Sequence, residues 1–296
     1  KFFGPLYNTY SFFSLYANVD GFTYSEADVP VAERPEIDRW ILSVLNTLVK
    51  GVQREMNGYD PTRAGRLIDT FVNDDLSNWF VRLNRKRFWG KEMSKDKLSA
   101  YQTLYTCLET VAKLLAPFAP FFADRLYTDL TTATGRDNKS VHLAAFPKAD
   151  DALVDADLEA RMAIAQKITS MVLALRRKVN IKVRQPLQAI MIPAASEDQK
   201  KHIEAVKELV MNEVNVKELR FVEGSGVLVK KVKCNFRTMG KKFGKLMKGI
   251  AAAMSALEQE QIADLEKNGT IALNVDGNDV VVEAADVEII SEDIPG

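Results

Sequence analysis

The sequence predicts a mainly α protein: a helical-bundle domain over residues 1–150, followed by a smaller α+β region over residues 151–296. Three observations carry this. Apolar residues in the first half recur three and four apart over long windows, which is the helical period. Short turns bearing Pro, Gly or Asn separate those windows, as in an up-and-down bundle. Beyond Ser140 the texture changes, and strand-like stretches alternate with helices.

Pro5–Asn18 is a short helical stretch within an aromatic opening. Pro35–Met56 places Ile37, Trp40, Ile41, Val44, Leu45 and Leu48 on one helical face. The turn at residues 57–62 puts Pro61 at a helix start, and a second helix runs from Thr62 to about Trp89. Lys95–Leu115 forms a third. The two prolines of Ala116–Pro120 break the chain, and Pro120 sits in the first turn of a fourth. Ser140–Asp151 reads as a linker. Ala156–Val179 is one more long helix. The residues from Lys182 to Ala194 alternate and contain Pro186, which suits an edge strand or its start. Ser196 and the acidic residues after it mark a helix start. Strand-like runs over 214–222 and 227–236 follow, then helices over 238–257 and 258–269. The final hairpin turns at Asp276-Gly277-Asn278-Asp279.

The composition is that of an ordinary soluble globular protein: 47% hydrophobic and 27% charged residues. The formal net charge is zero, yet it averages opposed patches. Gly224–Leu257 carries Lys230, Lys231, Lys233, Arg237, Lys241, Lys242, Lys245 and Lys248 and no acid. From Gly249 onward eleven acidic residues face one base, Lys267. Two cysteines, Cys107 and Cys234, are too few for a disulfide framework or a Cys-rich zinc site. That usage suits a reducing, cytoplasmic setting. No apolar run approaches membrane-spanning length, and the opening residues lack the form of a signal peptide. The first residue is Lys, which suggests a piece of a longer protein.

Leu76–Trp89 reads LSNWFVRLNRKRFW. Leu76, Trp79, Phe80 and Leu83 share one face with Ile68 and Val72, so Trp79 is expected in the core. Arg82, Arg85, Lys86 and Trp89 recur on the opposite side. Arg87 falls on the apolar line and is expected to pair with a carboxylate or to end the helix. A basic face with an exposed indole suits RNA, since cations neutralise phosphates and flat groups stack on unpaired bases. The plain reading is a solvated helix face without a ligand.

The segments DRWILSVLN, FVNDDLSNWFVRLNRKRFW, AYQTLY and KLLAPFAPFFADRLY, in that order, resemble the anticodon-binding helical domain of class I aminoacyl-tRNA synthetases, and among them the isoleucyl family. Farther on, RRKVNIKVRQPL, NEVNVKEL and KCNFRTMGKKFGKLMK are similar to that family's C-terminal region, in its eukaryote-like and archaeal-like branch. The other branch has a cysteine zinc cluster that this chain lacks. The resemblance covers nearly the whole chain and is weakest after Gly249. A valyl or leucyl relative with the same bundle is the nearest alternative; a protein-docking helical scaffold without RNA is the alternative of a different class.

The resemblance implies a tRNA-binding piece of an enzyme that attaches isoleucine to its tRNA with ATP. It places ATP and magnesium, and the catalytic and editing domains, elsewhere in the longer protein. The family's His-Ile-Gly-His signature is absent, and the two histidines, His142 and His202, are far apart. Lys91-Glu92-Met93-Ser94-Lys95 looks like the family's ATP-loop signature but sits between two helices of the bundle, where it reads as a connecting loop. There is no Gly-rich phosphate loop. No cofactor or metal is expected in this chain. The expected partners are an isoleucine tRNA and the catalytic and editing domains.

The expected RNA contacts are Arg82, Arg85, Lys86 and Trp89; Arg176, Arg177, Lys178, Lys182 and Arg184; and Lys230, Lys231, Lys233, Asn235, Lys241, Lys242, Lys245 and Lys248. Two rival readings stand beside them. Cations at 176–184 can cap a helix C-terminus, and the basic run can dock on the acidic tail. Arg66, Asp74 and Asp75 are expected to be structural, and Cys107 to be core.

Overall fold

The computed structural model describes residues 2–136, 139–193, 196–222, 228–235, 239, 242–275 and 278–293. The chain forms two compact units, Lys1–Leu175 and Arg176–Gly296, and the division falls inside a long helix.

The first unit is helical. Its elements are α1 (Phe3–Asp20), α2 (Glu36–Asn57), α3 (Pro61–Thr70), a π-helical stretch (Phe71–Val81), α4 (Arg82–Trp89), α5 (Lys95–Leu115), α6 (Pro120–Thr134) and most of α7 (Ala156–Lys178). Local chemistry sets the ends. The Asp60 carboxylate accepts from the Arg63 N–H at 2.9 Å ahead of Pro61. Ser94 caps α5 by accepting from the Lys97 N–H at 3.1 Å. Gly135, at φ 64°, closes α6 in the left-handed region. Helix α5 is the centre of the bundle and buries Ala100, Tyr101, Leu104, Tyr105, Cys107, Leu108 and Val111. Cys107 is thus core, and burial pushes its thiol pKa far up. Gly51 lets α2 approach α3, since a Cβ there would stand 3.0 Å from the Leu67 Cδ1. The linker is pinned by Asp124, which accepts from the Ser140 hydroxyl at 2.6 Å and the Val141 N–H at 2.9 Å.

The sequence predicts one α-helix from Thr62 to Trp89. The rod is continuous, but Phe71–Val81 winds as a π-helix. Phe71, Leu76 and Val81 are all buried and recur every five residues, the spacing that i→i+5 hydrogen bonding brings together. Phe71 and Val81 therefore fill the core, and Leu83, expected there, is only half-buried. The opening aromatics divide as well. Phe13 is buried and Phe12 meets Phe88, whereas Phe3 and Tyr7 are exposed.

The second unit is α+β. Strand β1 (Leu187–Pro193), starting after Pro186, pairs in parallel with β2 (Val216–Val222). Between them lie α8 (Glu197–Ala205) and α9 (Lys207–Val214), split at Val206 where one helix was expected. Strand β3 (Leu228–Cys234) is followed by α10 (Met247–Ser255) and α11 (Gln259–Asn268). Strands β4 (Thr270–Val275) and β5 (Asn278–Glu283) make the expected antiparallel hairpin; its turn at Asp276-Gly277 lies outside the described residues. Strand β6 (Val287–Asp293), which the sequence reading did not foresee, pairs antiparallel with β3, from Leu228 opposite Asp293 to Cys234 opposite Val287. Val232, Met239, Ile250, Met254, Ile262, Leu265, Val275, Val280 and Val282 form the core beneath, with Val287 and Ile289 packed against it. No described helix is long and apolar enough to cross a membrane.

Candidate nucleic-acid interface

In the first unit, α4 has an inner and an outer face. Phe88 and Asn84 point inward and are buried, and the Asn84 amide donates to the Phe80 carbonyl at 2.7 Å. Arg87 fastens the helix. Its guanidinium donates to both oxygens of Asp38 on α2 (2.6 and 2.9 Å), to the Asp96 carboxylate (2.9 Å) and carbonyl (2.8 Å), and to Asn84 (3.0 Å). Asp38 is fully buried and also accepts from the Ser99 hydroxyl. Arg87 thus pairs with carboxylates as expected, and the pair is bidentate and shielded. At the end of α4, the buried Lys97 ammonium pairs with Asp20 and donates to the Gly90 carbonyl, tying down the loop that follows.

The outer face carries Arg82, Arg85, Lys86 and Trp89, all exposed; Trp89 is 58% exposed, while Trp79 is core at 4%. Arg82 folds back along the rod. It donates to the Asn78 carbonyl at 2.8 Å and lies 5.8 Å from the Trp79 ring centre. Arg85 and Lys86 form no ion pair among the described residues. Two unpaired cations and an indole therefore stand on a helix whose opposite face is locked. The Lys91–Lys95 segment is an exposed connection ending in the α5 cap, as its position between helices implies. Lys91, exposed two residues past Trp89 where the helix has ended, adds a cation that was not among the expected contacts.

In the second unit the structure separates the expected residues. Arg176 is 3% exposed, and its guanidinium donates to four carbonyls, those of Lys182, Gln185, Val214 and Asn215, at 2.8–3.2 Å. It is a staple inside the unit and has no surface to offer RNA; this corrects its expected contact role. Its two Nη groups meet the clustered carbonyls, while its buried Nε–H has no hydrogen-bond partner among the described residues. Arg177 and Lys178, at the end of α7, and Lys182 and Arg184, on the loop that Arg176 holds, are exposed. Asn215 also grips this loop: at φ 53° its side-chain amide donates to the Val183 carbonyl at 2.9 Å.

The basic run behaves differently. Lys242 bridges Glu283 at 3.1 Å and the buried Asp286 at 2.8 Å. These acids hold the ammonium pKa above its usual value, through hydrogen bonds first to Asp286 and then to Glu283. Lys233 is exposed and stands opposite Glu288 in the β3–β6 register. Asn235 is exposed, and its N–H donates to the Asp286 carbonyl at 3.0 Å. Lys241 and the side chains of Lys230, Lys231, Lys245 and Lys248 lie outside the described residues. Among the described contacts, the acidic tail is thus a partner of this run in backbone and in charge. Among the described residues, no three His, Cys, Asp or Glu side chains gather to hold a metal.

A basic, aromatic helix face on a locked bundle, joined to a small α+β unit with a second cationic loop, is the frame of an RNA-reading module. The family model for the anticodon-binding domain of tRNA ligase matches residues 38–191, and the chain belongs to that family. Over its full length the chain is 74% identical to an isoleucine–tRNA ligase of Bacteroides thetaiotaomicron, and covers 26% of that protein. It is 60% identical to one of Porphyromonas gingivalis, again over its full length and 26% of the relative. It is 38% identical to one of Clostridium novyi, over 98% of this chain and 28% of the relative. The chain thus spans about a quarter of the length of these relatives. All three are bacterial and give no support to the eukaryote-like and archaeal-like branch expected from Lys233–Lys248.

Proposed function

We propose that this chain binds the anticodon arm of an isoleucine tRNA, as part of a longer cytoplasmic ligase that attaches isoleucine to that tRNA with ATP. The observation that carries the reading is the outer face of α4. Arg85 and Lys86 form no ion pair among the described residues and stand beside exposed Trp89, and Arg87 and Asp38 fix the helix from behind, all within the stretch that the family model matches. Arg82, Arg85 and Lys86 grip phosphates, which orients the RNA without reading it; Trp89 offers a plane for an unpaired base. In this reading, ATP and magnesium chemistry belongs to the rest of such a ligase.

Titration with an isoleucine tRNA transcript and a changed-anticodon copy, at two salt concentrations, tests this. Preference for the native anticodon that persists at the higher salt supports base reading by this chain. The double charge reversal Arg82→Glu with Arg85→Glu should weaken binding and flatten its salt dependence. Unchanged affinity in that variant removes the helix from the interface. Failure of the unaltered chain to bind at low salt favours a protein-docking scaffold instead.

A further inference from the structure

Between Glu159 and Glu197 the chain contains no acidic residue, while it carries Arg161, Lys167, Arg176, Arg177, Lys178, Lys182 and Arg184. It therefore has two acid-free basic stretches in its second half, this one and Gly224–Leu257. The structure treats them in opposite ways. In the later stretch, the two cations whose side chains are described face acids: β6 lies along β3, Glu288 stands opposite Lys233, and Glu283 and Asp286 hold Lys242. In the earlier one, Arg161 pairs with Asp157 at 3.0 Å and with Glu36 at 3.7 Å, but the cations near its C-terminal end differ. Arg177, Lys182 and Arg184 are exposed and form no ion pair among the described residues.

The helix end and loop that display them are built, not loose. The Ile181 N–H donates to the Arg176 carbonyl at 2.8 Å, the Asn180 N–H to the Arg177 carbonyl at 3.2 Å, and the Gln185 N–H to the Lys182 carbonyl at 3.0 Å. Asn180 turns the chain at φ 57°. The carbonyls of Lys182 and Gln185 face the Arg176 guanidinium, and that of Val183 faces the Asn215 amide. With its carbonyls drawn inward, the loop leaves its cationic side chains to solvent. A fixed cationic loop loses little conformational freedom on meeting an anionic chain.

We infer that Arg177, Lys182 and Arg184 form a second RNA-backbone surface positioned by Arg176, and that this surface supplies phosphate grip in the second unit in place of Lys233 and Lys242. The inference rests on the tRNA-binding reading and adds which surface of the second unit serves it. Arg176 touches no RNA; it acts through the loop.

The test is the salt dependence of isoleucine tRNA binding by the whole chain and four variants. Each phosphate contact contributes about 0.7–0.9 to the slope of log affinity against log salt. Arg177→Gln with Arg184→Gln should therefore lower the slope by about 1.5. Lys242→Gln should leave it unchanged. Arg176→Lys keeps the charge but loses the fork, and should lower slope and affinity although every exposed cation remains. Arg85→Gln with Lys86→Gln reports on the first unit. An unchanged slope for the Arg177/Arg184 pair, with a lowered slope for the Arg85/Lys86 pair, overturns this inference alone. A lowered slope for Lys242→Gln returns the grip to the basic run and also overturns it. An unaltered chain that binds no tRNA overturns both this inference and the reading beneath it. A full slope in Arg176→Lys overturns the positioning role.

Discussion

Asp75→Asn should stabilise the first unit at neutral pH and leave it unchanged in acid. Asp75 lies in the π-helical stretch and accepts from the Gln166 amide on α7 at 2.9 Å. Burial is the main cause raising its pKa; the Gln166 bond opposes it, and Asp74 and Glu159 add to it. The pKa is pushed up to about 6 from 3.8. Between those values the folded protein holds a proton that the unfolded chain has released. The contribution of this group is therefore fully present below the unfolded pKa and lost as pH rises through about 6. A shift of about 2 units corresponds to about 3 kcal/mol. Asparagine removes the charge, and its amide oxygen keeps the acceptor for Gln166. Thermal unfolding of both proteins from about pH 3 to pH 7.5 reads the difference directly, because other groups cancel. The variant should gain roughly 6–12 °C at the upper end and nothing at the lower. A gap that is constant with pH, or a wild type more stable at neutral pH, refutes the argument.

Asp38→Ala strips Arg87 and Ser99 of a buried partner and should cost about 3–5 kcal/mol, seen as a lower denaturant midpoint. Trp79→Ala should cost about 3–5 kcal/mol through the cavity it leaves. Trp89→Ala should change stability by less than about 0.5 kcal/mol yet weaken tRNA binding, so unfolding and titration together separate the two indoles. Asn215→Ala forces a left-handed alanine and drops the bond to Val183. It should cost about 1–2 kcal/mol, with faster amide exchange in the loop at residues 177–185.

Helical periodicity made the bundle legible, because each helix buries one stripe and its ends carry Pro61, Ser94 and Pro120 in their usual places. The π-helix was not legible to a reading at period 3.6, although Phe71, Leu76 and Val81 carry the five-residue spacing. Strand β6 was hidden because its acids drew attention to charge; the inward Val287 and Ile289 beside outward Glu288 are its period-two signal. In the candidate interface, the outer face of α4 was visible because both indoles and the arginines sit at helical spacing. Arg176 could not be told from Arg177 by sequence. Only the fold decides which of two adjacent arginines meets four carbonyls and which meets water.

The pairing of β3 with β6 also sets an order of events during synthesis. Cys234 must wait for Val287 before its strand has a neighbour, so roughly fifty residues must be added first. At ordinary translation rates that is about 3–10 s in which a β-edge stands open on a nascent chain. Bare apolar edges recruit other chains, whereas lysines repel them. Lys230, Lys231 and Lys233 punctuate Leu228–Cys234. They would keep the waiting strand soluble until its own acidic partner emerges from the ribosome.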